Sequence, residues 1–141
     1  IYVERPIYDR FVEAMKAKVD AMVMGDPLDE KTDIGTIISP GQFEKVQGFI
    51  AEGRATEGAT AHVCSAMPTD PALKKGLFLQ PVIFTGLAKD SRLVREEIFG
   101  PVTAIFPFDD AETVLAEAND SEYGLAASLW TNNLTVGLSL A

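Results

Sequence analysis

The stretch REEIFGPVTAIF, residues 95–106, combines a charged loop, a bend and an apolar run. Two adjacent glutamates, Glu96 and Glu97, are followed by the pair Gly100–Pro101. Proline fixes its own φ and restricts the residue before it, so this pair predicts a bend. The apolar, partly β-branched run from Val102 to Phe106 then predicts a strand that is buried on both faces.

Helical patterns lie on the N-terminal side of this stretch. Pro6 suits a first helical turn, and apolar residues then recur at helical spacing up to Gly25, which is expected to end the first helix. Ser39 and Gln42 form a capping-box pair at the start of a second helix, which Gly53 is expected to close.

Further strands and helices alternate along the chain. Asp109 and Glu112 are expected to open a third helix, and Asn132 or Asn133 caps a last helix that is incomplete at the end of the sequence. Strands that are apolar on both faces and alternate with helices predict an α/β fold, with a largely parallel twisted sheet and flanking helices. The other expected strands are Ile1 to Val3, Thr60 to Ala66, Phe78 to Phe84 and Leu125 to Trp130.

The composition excludes several classes of protein. Of the 141 residues 47% are hydrophobic, which is too many for a disordered acidic tail. The net charge of −9 argues against a nucleic-acid partner, and no apolar run approaches the roughly 18 residues of a membrane span. The chain opens on IYVERP without the features of a signal peptide, and its single cysteine cannot form an internal disulfide. We therefore expect a cytoplasmic protein.

Cys64 and His62 are two residues apart and allow a thiol-nucleophile hypothesis. A buried core cysteine in a strand is the competing interpretation and the one favoured by residue statistics. The sequence contains no glycine-rich phosphate loop and no H-E-x-x-H or paired C-x-x-C motif, so no metal site is expected. The adjacent carboxylates Asp109 and Asp110 are attributed to helix capping.

The two glutamates of REEIFGPV have two interpretations. They are either solvated loop charges or a site in which one carboxylate turns towards a cleft. A carboxylate in such a cleft accepts two hydrogen bonds from a sugar diol, and Phe99 offers an apolar surface beside a flat ring.

REEIFGPV, ANDSEYGLAAS (118–128) and the LWTNNL that directly follows it together resemble the C-terminal half of the NAD(P)-dependent aldehyde dehydrogenase superfamily. VERPIYDRF, MGDPLDEKTDIG, ISPGQFEKV and KGLFLQPVIF extend the resemblance over the whole chain. It implies oxidation of a small-molecule aldehyde to a carboxylic acid with NAD or NADP, through a cysteine thiohemiacetal and thioester. It also implies that Glu97 holds the nicotinamide ribose and that Phe99 lies against the cofactor, with Glu96 and the Gly100–Pro101 bend orienting them.

The resemblance places the family's catalytic groups outside this sequence. The nucleophilic cysteine would lie just upstream of Ile1, so Cys64 does not inherit its role and no catalytic residue is assigned. We expect residues 1–141 to be part of a single catalytic domain, without the dinucleotide-binding domain or the oligomerisation segment, and inactive alone. Thr36 replaces a usual proline, and Ser65–Ala66 replace a common Gly-Gly turn.

The full-length parent would be a homodimer or homotetramer by resemblance. An acylating or reductive member of the superfamily remains an alternative. A non-catalytic α/β module for ligand binding or subunit interaction is another.

Overall fold

A computed structural model describes residues 1–124 and 126–140. Within these residues, four strands form one sheet in the order β1-β4-β3-β2. β4 lies parallel to both β1 and β3, whereas β2 pairs antiparallel with β3. The predicted α/β class with a largely parallel sheet is confirmed. The strands are β1 (Tyr2–Glu4), β2 (Thr60–Val63), β3 (Val82–Thr85) and β4 (Val102–Phe108).

Two long helices cover the two faces of the sheet. They are α1 (Arg5–Asp20) and α2 (Pro40–Ala55). Shorter helices are α3 (Arg92–Arg95), α4 (Ala111–Asn119) and α5 (Leu134–Leu140), and a 3₁₀ turn spans Pro71–Leu73.

Side chains of β3 alternate between two apolar layers, as the two-residue period of a strand requires. Val82 and Phe84 point to the side of α2, where Phe49 and Ile98 are also buried. Ile83 points to the side of α1. The remaining buried members of the α1 layer are Val3, Val12, Cys64 and Ile105.

Two predicted boundaries are shifted, one by a proline within the predicted strand and one by a contact distant in sequence. The expected strand from Phe78 begins only at Val82, because Pro81 has no N–H to donate to a ladder. The first helix ends at Asp20 and not at Gly25. The hydroxyl of Ser65 donates to the carbonyls of Val19 and Met22 at 2.9 and 2.7 Å, so these groups are satisfied without a further turn.

Gly53 does not close the second helix, which continues to Ala55. It is buried within α2, and a Cβ at this position would lie 2.7 Å from both Phe84 Cζ and Leu93 Cδ2. This glycine therefore allows the close approach of the helix to the sheet.

The expected strand from Leu125 to Trp130 is not observed in the part that can be described. Leu125 itself lies outside the described residues. Residues 126–130 have no regular secondary structure and are exposed, with Trp130 93% accessible. A strand requires hydrogen-bond partners on a neighbouring strand, and residues 126–130 pair with none of the described strands.

The last helix begins as expected. Asn133 Oδ1 accepts a hydrogen bond from the backbone N–H of Val136 at 3.2 Å, as an N-cap residue does. Among the helices of the described residues, none is long and apolar enough to cross a membrane.

Candidate cofactor-binding site

The loop Glu96–Pro101 lies between α3 and β4 and rests on the N-terminal half of α2. Gln42 makes the direct connection. Its side-chain Nε2 donates to the carbonyl of Ile98 at 2.8 Å and to the carbonyl of Phe99 at 3.0 Å. The predicted capping box is therefore only half correct. Ser39 Oγ does accept from the backbone N–H of Gln42, but the Gln42 amide turns to the loop.

Phe99 has a left-handed backbone conformation, with φ +53°. This region is unfavourable for a residue with a bulky side chain, at a cost of about 1–2 kcal/mol. Each hydrogen bond from Gln42 contributes about 0.5–1.5 kcal/mol. The two bonds are therefore of the right size to offset the strain and to hold the loop in one shape.

The residues on either side of Phe99 attach the loop to the core. Ile98 is buried in the apolar layer beside α2. Gly100 is so close to α2 that a Cβ there would lie 2.6 Å from both methyl groups of Val46. Only the side chain of Phe99 is left pointing outward, 73% exposed.

Glu96 is already engaged in an ion pair. Arg92 Nε donates to Glu96 Oε1 at 2.8 Å and Arg92 Nη1 donates to Glu52 at 3.2 Å, while the guanidinium lies 4.9 Å from the centre of the Phe49 ring. The hydrogen bond from Arg92 holds the pKa of Glu96 below its ordinary value, and the same bond raises the pKa of Arg92. The first glutamate is thus a structural partner of α3.

Glu97 differs from its neighbour. It is half-buried, and its backbone carbonyl accepts from Lys45 Nζ at 3.4 Å. Within residues 1–124 and 126–140, no side chain or backbone N–H donates to its carboxylate. A free carboxylate and an exposed aromatic ring, two residues apart on one rigid loop, can bind a polyol through hydrogen bonds and a flat ring through apolar contact.

Cys64 and His62 do not form a catalytic pair. Cys64 is 2% exposed, and burial, reinforced by the nearby Asp20 carboxylate, raises the pKa of its thiol. His62 Nε2 lies 3.2 Å from Thr85 Oγ1 on the neighbouring strand. Sγ makes its contact with the backbone carbonyl of His62 at 3.6 Å. These contacts favour the interpretation of Cys64 as a core residue.

The adjacent carboxylates of Asp109 and Asp110 have separate structural partners. Asp110 caps α4, where it accepts from the backbone N–H of Thr113 at 2.8 Å. Asp109 instead receives two hydrogen bonds from Arg5 Nε and one from Nη2, at 2.6–2.9 Å. The capping prediction therefore holds for Asp110 alone.

A cavity of about 490 Å³ lies elsewhere, between β1, β4, α3 and α4. The charged side chains on its wall are paired with each other. Lys89 pairs with Glu117, and Arg95 pairs with Asp120 at 2.8 Å. Neither Glu97 nor Phe99 lines this cavity, so the loop site and the cavity are separate features.

Sequence reasoning missed Gln42 and Lys45 as neighbours of the loop. Both lie on α2, three residues apart and so on one helix face, but their contacts are more than 50 residues away in sequence. The available signal in the sequence is that Gln42 and Lys45 lie next to the apolar stripe of α2. This pattern does not identify the segment that the two side chains contact.

Comparison with known proteins identifies the family. The sequence model of the aldehyde dehydrogenase family matches residues 1–141, and the chain belongs to this family. Betaine aldehyde dehydrogenase of Vibrio vulnificus is 40% identical over 135 residues, which are 96% of this chain and 28% of that protein. 2-Hydroxymuconic semialdehyde dehydrogenase of Pseudomonas putida is 44% identical over 135 residues, 95% of this chain and 28% of that protein.

A solved structure supports the same assignment. Mycobacterium tuberculosis aldehyde dehydrogenase complexed with NAD+ superposes with a TM-score of 0.88 and 41% sequence identity. The match covers 99% of this chain and 28% of that one. The chain therefore spans little more than a quarter of the length of these relatives.

Proposed function

We propose that the chain is part of the catalytic domain of an NAD(P)-dependent aldehyde dehydrogenase and binds the nicotinamide half of the cofactor. In this proposal the Glu97 carboxylate accepts hydrogen bonds from the ribose hydroxyls, and the Phe99 ring lies against the cofactor. One observation carries it. Of the two adjacent glutamates, Glu96 is bound by Arg92, whereas the Glu97 carboxylate has no donor among the described residues.

The geometry of the loop fits a nicotinamide riboside. A ribose presents two neighbouring hydroxyl donors, and a carboxylate has two acceptor oxygens. The exposed Phe99 ring supplies apolar surface next to them. The family membership and the NAD+ complex of the Mycobacterium tuberculosis relative support the same ligand class.

The proposed reaction of the full-length enzyme is the oxidation of a small-molecule aldehyde to a carboxylic acid. When bound, the nicotinamide supplies the hydride acceptor. Glu97 and Phe99 would act by orientation, since a fixed ring position keeps the acceptor atom within reach of the substrate. We assign no catalytic residue within residues 1–141, and the thiohemiacetal and thioester steps would use groups outside them.

The proposal extends to the setting of the whole enzyme. We propose NAD or NADP as the cofactor, a homodimer or homotetramer as its assembly, and the cytoplasm as its location. Residues 1–141 would form part of a single catalytic domain.

The substitution Glu97→Gln in the full-length enzyme tests the proposal. It keeps the size of the side chain and removes the charge, so KM for the cofactor should rise about tenfold or more, given 1.5–3 kcal/mol for a hydrogen bond to a charged group. KM for the aldehyde should stay within about twofold, because the substitution leaves the aldehyde contacts in place. Glu44→Gln, an exposed position on α2, is the matched control. Unchanged cofactor KM and unchanged kcat with Glu97→Gln would contradict the proposal.

The isolated chain is expected to be inactive. Incubation of residues 1–141 with NAD+ or NADP+ and a set of aldehydes should give no reduced nicotinamide at 340 nm, because the chain contains no assigned nucleophile. Turnover above that of a Cys64→Ala control would restore the thiol hypothesis for Cys64.

A further inference from the structure

We infer that Gln42 is a positioning residue for the cofactor site, because its side-chain amide holds Phe99 in the left-handed conformation. This inference rests on the proposed function of Glu97 and Phe99. It adds Gln42, which lies on a different element, α2, and would act on the cofactor indirectly, through the loop backbone.

The geometry uses the full donor capacity of the Gln42 amide. One nitrogen carries two hydrogens, and it reaches two consecutive carbonyls, those of Ile98 at 2.8 Å and Phe99 at 3.0 Å. The helix that carries Gln42 is itself fixed at this end. Pro40 occupies the first turn, and Ser39 Oγ accepts the backbone N–H of Gln42 at 3.3 Å.

A second anchor lies one helical turn further along α2. Val46 contacts Gly100, the residue that follows Phe99, at a distance that excludes a Cβ. Gln42 and Val46 are four residues apart and therefore lie on the same helix face. The polar anchor holds the carbonyls before the bend and the apolar anchor holds the glycine after it.

Loss of the polar anchor has a defined consequence. Phe99 at φ +53° is strained, and without the two hydrogen bonds its backbone relaxes towards negative φ. Such a rotation redirects the Phe99 ring and moves the neighbouring Glu97 carboxylate with it. The loop becomes mobile because it has lost the two hydrogen bonds. The fold is retained because the core contacts of Ile98 and Gly100 remain.

The first experiment examines the loop in the 141-residue chain itself. Gln42→Met keeps the length of the side chain without its donors, and Gln42→Glu replaces the donors by a carboxylate. Gln47→Met and Gln47→Glu, at an exposed position of the same helix, are the matched controls. The carbonyl carbon of Phe99 is followed by NMR in the chain labelled with carbonyl-13C phenylalanine, and Phe99→Leu assigns its signal.

The expected NMR result is specific to one carbonyl. The Phe99 signal should shift upfield and broaden in both Gln42 variants, because the carbonyl loses its donor. The signals of the buried Phe49 and Phe84 should stay in place, and the Gln47 variants should match the unsubstituted chain. An unmoved Phe99 signal in both Gln42 variants would overturn the inference.

The second experiment measures the consequence for the cofactor in the full-length enzyme. Both Gln42 variants should raise KM for NAD(P)+ about tenfold, the effect of about two ordinary hydrogen bonds, and should leave KM for the aldehyde within about twofold. With Gln42→Glu, part of the loss should recover at acidic pH, because a protonated carboxyl donates one hydrogen bond again. Gln42→Met should show no such recovery, and this difference separates positioning from a general loss of structure.

The results distinguish this inference from the function it rests on. A normal cofactor KM in the Gln42 variants, together with an impaired Glu97→Gln variant, would overturn the inference and leave the proposed function intact. A shifted Phe99 carbonyl together with an unimpaired Glu97→Gln variant would confirm the anchor on the loop and overturn its role in cofactor binding.

Discussion

Arg92 binds Glu96, four residues further along the chain, through Nε–Oε1 at 2.8 Å and Nη2–Oε2 at 3.3 Å. The pair links the short helix α3 to the start of the loop that carries Glu97 and Phe99. It also gives two chemically identical neighbours different environments. The carboxylate of Glu96 is occupied and that of Glu97 is free of donors from the described residues, so substitutions at the two positions should have different effects.

Glu96→Gln is expected to affect the enzyme far less than Glu97→Gln. The ion pair with Arg92 is exposed to solvent, and exposed pairs contribute little to stability. KM for the cofactor should therefore change less than about twofold in steady-state assays of the full-length enzyme. An effect as large as that of Glu97→Gln would show that the charge of the loop, and not the position of one carboxylate, is what matters.

Ser65 should be more sensitive to alanine than to glycine. It is buried with φ +63°, and its hydroxyl donates to the last turn of α1 while its N–H donates to Asp20 at 2.8 Å. Ser65→Ala removes the hydroxyl bonds to the carbonyls of Val19 and Met22 and keeps the strain, so it should lower the free energy of unfolding by about 2 kcal/mol. Ser65→Gly loses the same hydroxyl bonds but relieves at least part of the left-handed strain, which costs about 1 kcal/mol. The glycine variant should therefore be destabilised less than the alanine variant.

Urea denaturation of the two Ser65 variants and the unsubstituted chain measures this difference. At a position with negative φ, an alanine variant is usually more stable than a glycine variant, because glycine adds freedom to the unfolded chain. A glycine variant less stable than the alanine variant would therefore contradict the role of the backbone conformation.

Gly53 and Gly48 form a matched pair on α2. Gly53→Ala places a Cβ 2.7 Å from Phe84 and Leu93, and such overpacking should cost about 1–3 kcal/mol. Gly48 has open space around its Cα, so Gly48→Ala should stabilise the chain by about 0.5–1 kcal/mol through helix propensity. Chemical denaturation of both variants checks the prediction. Equal changes in the free energy of unfolding would mean that α2 does not contact the sheet closely at Gly53.

Local signals in the sequence predict the elements that local chemistry controls. Pro6 predicts the first turn of α1, Ser39 the start of α2 and Asn133 the start of α5, and all three are observed. The bend at Gly100–Pro101 and the strand after it are likewise observed, because proline geometry and an apolar run act within a few residues.

Contacts between distant segments account for the errors. The end of α1 depends on Ser65, more than 40 residues away, and Gly53 serves close packing against Phe84 of β3 and Leu93 of α3 within a helix that continues past it. For the site, the sequence singles out Glu97 and Phe99 through the family resemblance. The support from Gln42 acts over 56 residues and has no periodic pattern that reveals it.

Cys64 should react slowly with thiol reagents. The side chain is buried and its thiol pKa is raised, so both access and thiolate content are low at neutral pH. Alkylation of the folded chain should be at least about 100-fold slower than that of the chain in urea, because reaction requires local opening. A similar rate in both states would indicate an accessible thiol and would support the thiol hypothesis.

The cap of α4 should make stability depend on pH in the acidic range. Hydrogen bonds from the Thr113 hydroxyl at 2.6 Å and its backbone N–H at 2.8 Å lower the pKa of Asp110 below its ordinary value of 3.8. Folding therefore favours the ionised carboxylate, whose contribution is complete above the unfolded pKa and is lost as the pH falls through the lower folded value. Asp110→Asn should destabilise the chain at about pH 7, and this difference should shrink towards about pH 3. Urea denaturation across this range, with the exposed Asp90→Asn as control, measures the effect. A difference that stays constant with pH would mean that the charge of Asp110 contributes nothing to the cap.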